Sequence, residues 1–313
     1  MKIYCFLTPF YHDLYRDKIV KIEKLESYNV PLDRPANNYI IRADNLTLSI
    51  DAGATKSSLK DFGKIDYILL THGHWDHSYG IAGLKDKTIC MGKETYAQIK
   101  KGGFKESLIR IADIFGYKKD ALPSDIEEIV DKTSYYYDEI QQALDYNTIL
   151  TINECPPIQG NIVNYIQCPG HSDDHLCYVI GNHLFPGDNI LPGGGITLLD
   201  FIKYYESMMN LLSRIDWLYV HPGHGPDINR SEAVKWLSDI ILGKQKKLIQ
   251  LNSMIGYDWI PVTMLLPKLY PSLGGLLLFV ATRSIMGYLG SLESMKFIEI
   301  DRNQYPWLVR RAY

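Results

Sequence analysis

The 313-residue chain is 46% hydrophobic and 22% charged, an ordinary globular composition, and its formal net charge of -3 excludes a protein that is basic throughout. Its five cysteines (Cys5, Cys90, Cys155, Cys168, Cys177) are scattered, odd in number and without a CxxC pair, so they read as free thiols in a reducing compartment. Met1 to Phe10 has one Lys and an apolar run too short for a secretion signal, which makes a cytoplasmic protein the expectation.

Lys2–Leu7, Asn38–Arg42 and Leu46–Ile50 read as strands, with Asp44 and Asn45 turning between the last two. Asp51 closes the third strand. It is either a turn residue or a carboxylate that orients the loop that follows the next strand. Residues 55–62 read as a short helix and Ile65–Leu70 as a buried strand. That strand runs into Thr71-His72-Gly73-His74-Trp75-Asp76-His77, where His72, His74, Asp76 and His77 put four metal-ligand side chains within six positions. A strand that ends in a glycine-containing loop aims several side chains at one point from a rigid base. Imidazole and carboxylate at this density suit zinc, iron or manganese better than calcium or magnesium.

Ile81–Leu84 begins a helix and Thr88–Met91 is a strand. Residues 94–146 read mainly as helix, broken near Gly102-Gly103, Gly116 and Pro123, with a capping box at Ser124 to Glu127. This insertion, with Tyr135, Tyr136 and Tyr137, is either a surface or dimer-contact element or a lid whose tyrosines line a substrate pocket. Residues 148–153 and 162–168 are strand-like, and Pro169-Gly170 then presents His171 on a loop. Cys177–Ile180 and His183–Phe185 are strands about a Gly181-Asn182 turn, and Asp188 follows the second. Residues 200–214 read as helix and Trp217–Val220 as strand, ending in His221-Pro222-Gly223-His224-Gly225-Pro226. One device therefore recurs at 72–77, 171, 188 and 221–224: an apolar strand, a glycine-bearing loop, a metal-ligand side chain.

Past Pro226-Asp227, Ser231–Leu251 reads as a long helix with Ser231 as its N-cap, Pro261–Tyr270 and Gly274–Leu292 as two more, and 295–300 with 306–311 as a strand pair. From residue 228 on there are 11 Lys and Arg against 6 Asp and Glu, a balance of +5 that leaves -8 on the rest. A basic appendage on an acidic body fits a polyanion partner or a packing and dimerisation module. Arg283 in the middle of the apolar 273–292 stretch argues for a buried helix and against a membrane span.

These motifs resemble the metallo-β-lactamase-fold hydrolases over roughly residues 1–226. The HxHxDH signature is present as His72, His74, Asp76 and His77, and later signatures as His171 in PGHS, Asp188 in FPGD and His224 in PGHGP; Asp51 matches the family's Asp after a second-sheet strand. The resemblance implies an α/β fold, an αββα sandwich over 1–227 with the site at one edge of its two sheets. It also implies two divalent metal ions: one held by His72, His74, His171 and a bridging Asp188, the other by Asp76, His77, His224 and the same Asp188. His224 is preferred to His221 because PGHGP is the family's form, and His175 and His221 are placed in the shell around the ligands. Residues 228–313 resemble a winged helix, which some proteins of this fold carry, including a branch with endoribonuclease activity.

Water held between two such cations ionises near neutral pH. The expected protein is a binuclear metal-dependent hydrolase whose metal-bridging hydroxide attacks an ester, thioester or lactone. Zinc is the expected metal, with iron or manganese as alternatives, and Asp76 is the catalytic residue that orients the hydroxide and shuttles its proton. The alternative is an endoribonuclease or other phosphodiesterase that binds nucleic acid through 228–313. An iron-dependent sulfur or oxygen redox enzyme is disfavoured by the full ligand set. The expected partner is a small-molecule substrate; no membrane is expected, and a homodimer stays open.

Overall fold

Two sheets pack face to face. In the computed structural model, which describes residues 21–27, 35–43, 45–59, 63–102, 114, 124–214, 216–272 and 275–313, the first sheet has the order β1-β2-β3-β4-β5-β6. Its strands are β1 (Lys21–Ser27), β2 (Ala36–Ala43), β3 (Leu46–Ile50), β4 (Tyr67–Leu69), β5 (Thr88–Met91) and β6 (Thr148–Thr151). The first three run antiparallel and the last four pair in parallel. The second sheet, ordered β11-β10-β9-β8-β7, holds β7 (Asn164–Gln167), β8 (Leu176–Ile180), β9 (His183–Gly187), β10 (Tyr219–Pro222) and β11 (Ile228–Asn229). The strand expected at Lys2–Leu7 lies outside the described residues.

Alternation along the strands explains the layers. Tyr39, Ile41, Leu48 and Ile50 of the first sheet meet Leu176, Tyr178, Ile180 and Phe185 of the second in the core between the sheets. The residues between them point outward. Ile40, Ile68 and Ile89 pack under α1 (Trp75–Ser78), α2 (Lys93–Lys100) and α3 (Ser124–Leu144), while Cys177, Val179 and Val220 pack under helices on the other side. Strands buried on both faces must be apolar at nearly every position, which is why β8 is Leu-Cys-Tyr-Val-Ile. The result is an αββα sandwich.

After α4 (Pro156–Gln159), a single turn whose Ile158 packs on the core between the sheets, the second outer layer comprises α5 (Phe201–Ser213) and α6 (Arg230–Met254) and continues into the C-terminal extension. There, β12 (Ile260–Pro261), α7 (Leu266–Leu269) and α8 (Gly275–Ser294) precede the hairpin β13 (Ile298–Asp301) and β14 (Leu308–Arg311). The small sheet is ordered β12-β14-β13, so the first strand of the extension pairs with the last. Val262, Leu266, Ile285, Leu289 and Val309 share one apolar cluster with Tyr204, Trp217 and Leu237, so the extension is continuous with the core of the sandwich.

Several local expectations are corrected. Of the helix expected at 55–62, residues 55–59 form turns and bends, because the chain there closes on itself through Ser58 and Thr55, and 60–62 lie outside the described residues. The helix expected from Ile81 begins earlier, as α1 followed by a 3-10 turn at Tyr79–Gly83. Asn229, not Ser231, caps α6: its side chain accepts the Glu232 N–H and Glu232 returns the bond. Residues 261–270 divide into strand, 3-10 turn and short helix around Pro261 and Pro267. The cysteines are not all free. Cys90 of β5 and Cys155, just past β6, are disulfide-bonded with their Cα atoms 5.8 Å apart, brought together by the parallel β5–β6 pairing. The cysteine pattern therefore gives no support to a reducing compartment. Cys168 and Cys177 are free and buried. Among the described residues, no helix is long and apolar enough to cross a membrane.

Candidate metal centre

Four chain segments deliver the site. The loop after β4 carries His72, His74, Asp76 and His77; the loop before β8 carries His171; the end of β9 leads to Asp188; and the end of β10 leads to His224. All are at one edge of the paired sheets. Their ligand atoms fall into two groups, His72, His74, His171 and Asp188 in one, and Asp76, His77 and His224 in the other, with the atoms of each group within 4.8 Å of one another.

The first cluster is tight. His72 Nε2 and His171 Nε2 lie 2.8 and 3.0 Å from His74 Nδ1. Asp188 joins the two: its Oδ2 is 3.5 Å from His171 Nε2, and its Oδ1 is 3.2 Å from His77 Nε2 and 3.6 Å from His224 Nε2. Asp76 Oδ2 closes the second cluster, 3.3 Å from His224 Nε2 and 3.8 Å from His77 Nε2. The glycine of the PGHGP loop permits this approach. A Cβ on Gly223 would stand 2.4 Å from Asp188 Oδ1 and 2.7 Å from His77 Cε1.

Four of the five rings are oriented from behind by an acceptor at Nδ1. His77 Nδ1–H donates to Asp51 Oδ2 at 2.8 Å. His72 Nδ1 is 3.0 Å from Thr71 Oγ1, whose hydroxyl donates to the same Asp51 carboxylate. Asp51 also accepts the Thr71 N–H at 2.7 Å. It adopts φ 61°, a left-handed conformation that Asp tolerates better than most residues. His171 Nδ1–H donates to Thr197 O and His224 Nδ1–H to Pro35 O, both at 2.8 Å. A hydrogen held on Nδ1 leaves the Nε2 lone pair facing the cluster, as metal ligation requires. The β2 end steadies the His224 loop: Asn37 Nδ2 donates to Pro222 O and Gly225 O, and Tyr39 Oη donates to Pro222 O.

The donor set fits divalent cations. His77 Nε2 and Asp188 Oδ1 are both buried and make no hydrogen bond to the described residues. With Nδ1–H given to Asp51, they are two acceptors facing each other at 3.2 Å, an arrangement that calls for a proton or a cation between them. The rings differ in charge state. Burial, reinforced by neighbouring cations and imidazoles, pushes His72 and His74 well down, and burial takes His171 to about 3. Burial also opposes charge on His77 and His224, yet Asp188 and Asp76 outweigh it, raising His77 well above its ordinary value and His224 to about 10. Asp76 is held below the usual carboxylate range, burial being outweighed by His77 and His224.

Other expected residues fall in different places. His175 accepts the Asp188 N–H at Nε2, 3.2 Å away, and stacks on His72. His221 stands apart from both clusters: it meets Asp227 at 3.1 Å and His183 at 2.9 Å and stacks on Phe185. From the tyrosine run, Tyr135 is exposed, while Tyr136 and Tyr137 are buried and Tyr137 Oη donates to Gly73 O. The described part of the insertion thus braces the histidine loop from behind. Two residues at the site were not among those expected there from the sequence. Thr71 relays Asp51 to His72. Arg283 of α8 places a guanidinium nitrogen 3.1 Å from His74 Nε2.

A family model described as the metallo-beta-lactamase superfamily matches residues 32–235. The metallo-beta-lactamase fold-containing protein ST1585 of Sulfurisphaera tokodaii is 31% identical over 241 residues, covering 72% of this chain and 86% of that protein. Thioesterase pkgB of Emericella nidulans is 26% identical over 231 residues; the match covers 70% of this chain and 54% of the relative, so this chain spans about half its length. The crystal structure of a beta-lactamase domain protein from Burkholderia ambifaria superposes with a TM-score of 0.70 at 17% identity, covering 93% of this chain and 92% of that one.

Proposed function

The chain belongs to the metallo-β-lactamase superfamily of metal-dependent hydrolases, and we propose that it cleaves a small ester, thioester or lactone with one divalent cation, zinc, in each cluster. The observation that carries this reading is Asp188, which turns one carboxylate oxygen to each cluster while acceptors behind His72, His77, His171 and His224 fix their rings. His72, His74, His171 and Asp188 would hold the first cation, and Asp76, His77, His224 and Asp188 the second. When bound, the pair of cations would polarise water and the substrate carbonyl. Asp76, 24% exposed on its side chain and kept ionised by His77 and His224, is set to take the proton that the attacking water gives up, at Oδ2. Asp51 and Thr71 hold the loop so that this carboxylate meets the substrate at a fixed angle.

Thioesters head the candidate substrates, in keeping with the named activity of the fungal relative. The helix–strand–helix–helix–hairpin order of 228–313 and its +5 balance fit a winged-helix-like module and keep a nuclease reading in view. The arrangement favours the small substrate. One face of α8 lies against the sandwich, and hairpin cations are already engaged, Arg302 by Glu293 and Arg310 by Glu299. The test is a panel of thioesters, lactones, phosphodiesters and RNA, with and without chelator. Chelator-sensitive turnover of a thioester or lactone is the expected result. Turnover of RNA alone, or turnover indifferent to metal removal, would overturn the proposal.

A further inference from the structure

A cavity of about 450 Å³ joins α6, α8 and the loop that follows Asp188. Helix α6 supplies Trp236, Gly243, Lys244 and Lys247 to its lining, residues beyond that helix supply Tyr270 and Tyr288, and the loop supplies Gly193. None of the proposed metal ligands is among the lining residues. The size falls within the roughly 300–1,000 Å³ of small-molecule sites.

Two lysines charge the cavity, three positions apart and so on one face of α6. Lys244 Nζ donates to Ile196 O. Burial alone lowers its pKa, to about 8, so no carboxylate offsets its charge. Ile196 precedes Thr197, whose carbonyl orients His171, and the cavity therefore backs onto the loop behind the inner cluster. Lys247 Nζ donates to Leu269 O at 3.0 Å and lies 4.8 Å from the centre of the Tyr270 ring. Against these two ammonium groups the described lining has a single carboxylate, Asp239. Tyr288 is 1% exposed, yet its hydroxyl makes no hydrogen bond to the described residues. An unpaired phenol beside partly desolvated cations suits a ligand that brings anionic oxygens. Gly243 keeps the space open. Glycine weakens a helix interior, and no packing requires it here, because a Cβ would meet nothing within 4 Å.

We propose that this cavity is a second ligand site, for a small organic anion whose carboxylate or phosphate meets Lys244 and Lys247 and whose apolar body lies against Trp236 and Tyr270. The site does not depend on the hydrolase reading, since none of its residues belongs to the metal centre.

The test is calorimetry of the zinc-loaded full chain with phenylphosphonate, benzoate and the neutral benzyl alcohol, titrated separately. One of the two anions should bind, the tighter identifying the head group, and benzyl alcohol should bind at least about tenfold more weakly. Lys244→Met, which keeps the stem and removes the charge, should weaken the anion on the order of 10–100-fold, the range for a lost charge-assisted hydrogen bond. Gly243→Leu should weaken it at least as much by filling the cavity. Leucine is the better helix former, so that variant should keep its zinc and its Tm, which separates loss of the site from loss of the fold. Anion affinity unchanged in both variants would place the anion on the zinc ions and overturn the proposal. Equal affinity for benzyl alcohol would make the cavity a merely apolar one, and no binding of either anion at millimolar concentration would leave it empty; each result overturns the proposal. Where a thioester is cleaved, an anion that leaves its KM unmoved marks a separate ligand, and one that raises KM in the wild type but not in Gly243→Leu marks the far end of the substrate. Both results support the site.

Discussion

The two clusters are built from similar side chains yet differ in what surrounds them. His72, His74, His171 and Asp188 are all buried, whereas Asp76 and His224 keep 24% and 15% of their side chains exposed. The first cluster has only imidazoles beside the shared Asp188; the second adds a carboxylate of its own. Burial thus favours neutral rings in the first, whereas in the second Asp188 and Asp76 favour charged rings in spite of it. The difference teaches a division of labour. On the proposed reading the inner cluster would serve as a fixed anchor, and the outer one, whose Asp76 and His224 are partly exposed, would be where protons and substrate are exchanged.

Removing the shared ligand should erase the contrast. Asp188→Ala takes one oxygen from each cluster, so metal content should drop at both, and turnover should fall by more than the roughly 10–100-fold typical of groups that merely back a ligand. Retention of two ions per chain by elemental analysis would show that the clusters do not depend on Asp188. Asp76→Asn should separate them instead. The fold and the inner ion should persist while turnover falls roughly 10²–10⁴-fold, the span of general acid–base contributions. Full activity in that variant would remove Asp76 from the chemistry.

Asp51→Asn probes the second cluster one layer out. His77 would lose the carboxylate that fixes its Nδ1–H, and outer-site metal affinity should weaken by roughly 10–100-fold. The inner cluster, reached only through Thr71, should change less. Competition titration with a chromophoric zinc chelator would measure both; equal weakening would deny the contrast.

How much of this could be read from the sequence follows from how far apart the cooperating residues lie. His72, His74, Asp76 and His77 share one loop, so their density was visible without coordinates. His171, Asp188 and His224 were reachable because each repeats the same strand-to-loop device. Arg283 was not: 209 positions separate it from His74, and only the docking of α8 through Gly287 and Ser291 brings it in. In the sequence it registered solely as a charge unfit for a membrane. The Cys90–Cys155 bond was hidden likewise, since parallel pairing of β5 and β6 joins cysteines 65 positions apart. His221, read as lying in the shell around the ligands, sits at the end of β10. It sits three residues before His224, but the chain turns between them, and His221 faces Asp227 and His183. Adjacency in sequence predicts a shared site only where the backbone keeps both side chains on one side.

The finest distinction between the clusters is their response to pH in metal-stripped protein. An imidazole must lose its proton before it can ligate. His72, His74 and His171 are neutral at neutral pH because burial pushes them down, His171 to about 3, so the inner cluster has no imidazole proton to give up. His77 and His224 keep theirs: burial resists the charge, but Asp188 and Asp76 hold it in place, His224 up to about 10. Raising the pH toward those values should therefore strengthen zinc binding at the outer cluster, by about tenfold per pH unit for each proton displaced, and leave the inner cluster nearly flat. Calorimetry of the stripped protein in two buffers of unlike ionisation enthalpy counts the protons directly. At least one should leave with the outer ion and none with the inner. Equal proton release at both would mean that Asp188 and Asp76 do not divide the two clusters by charge.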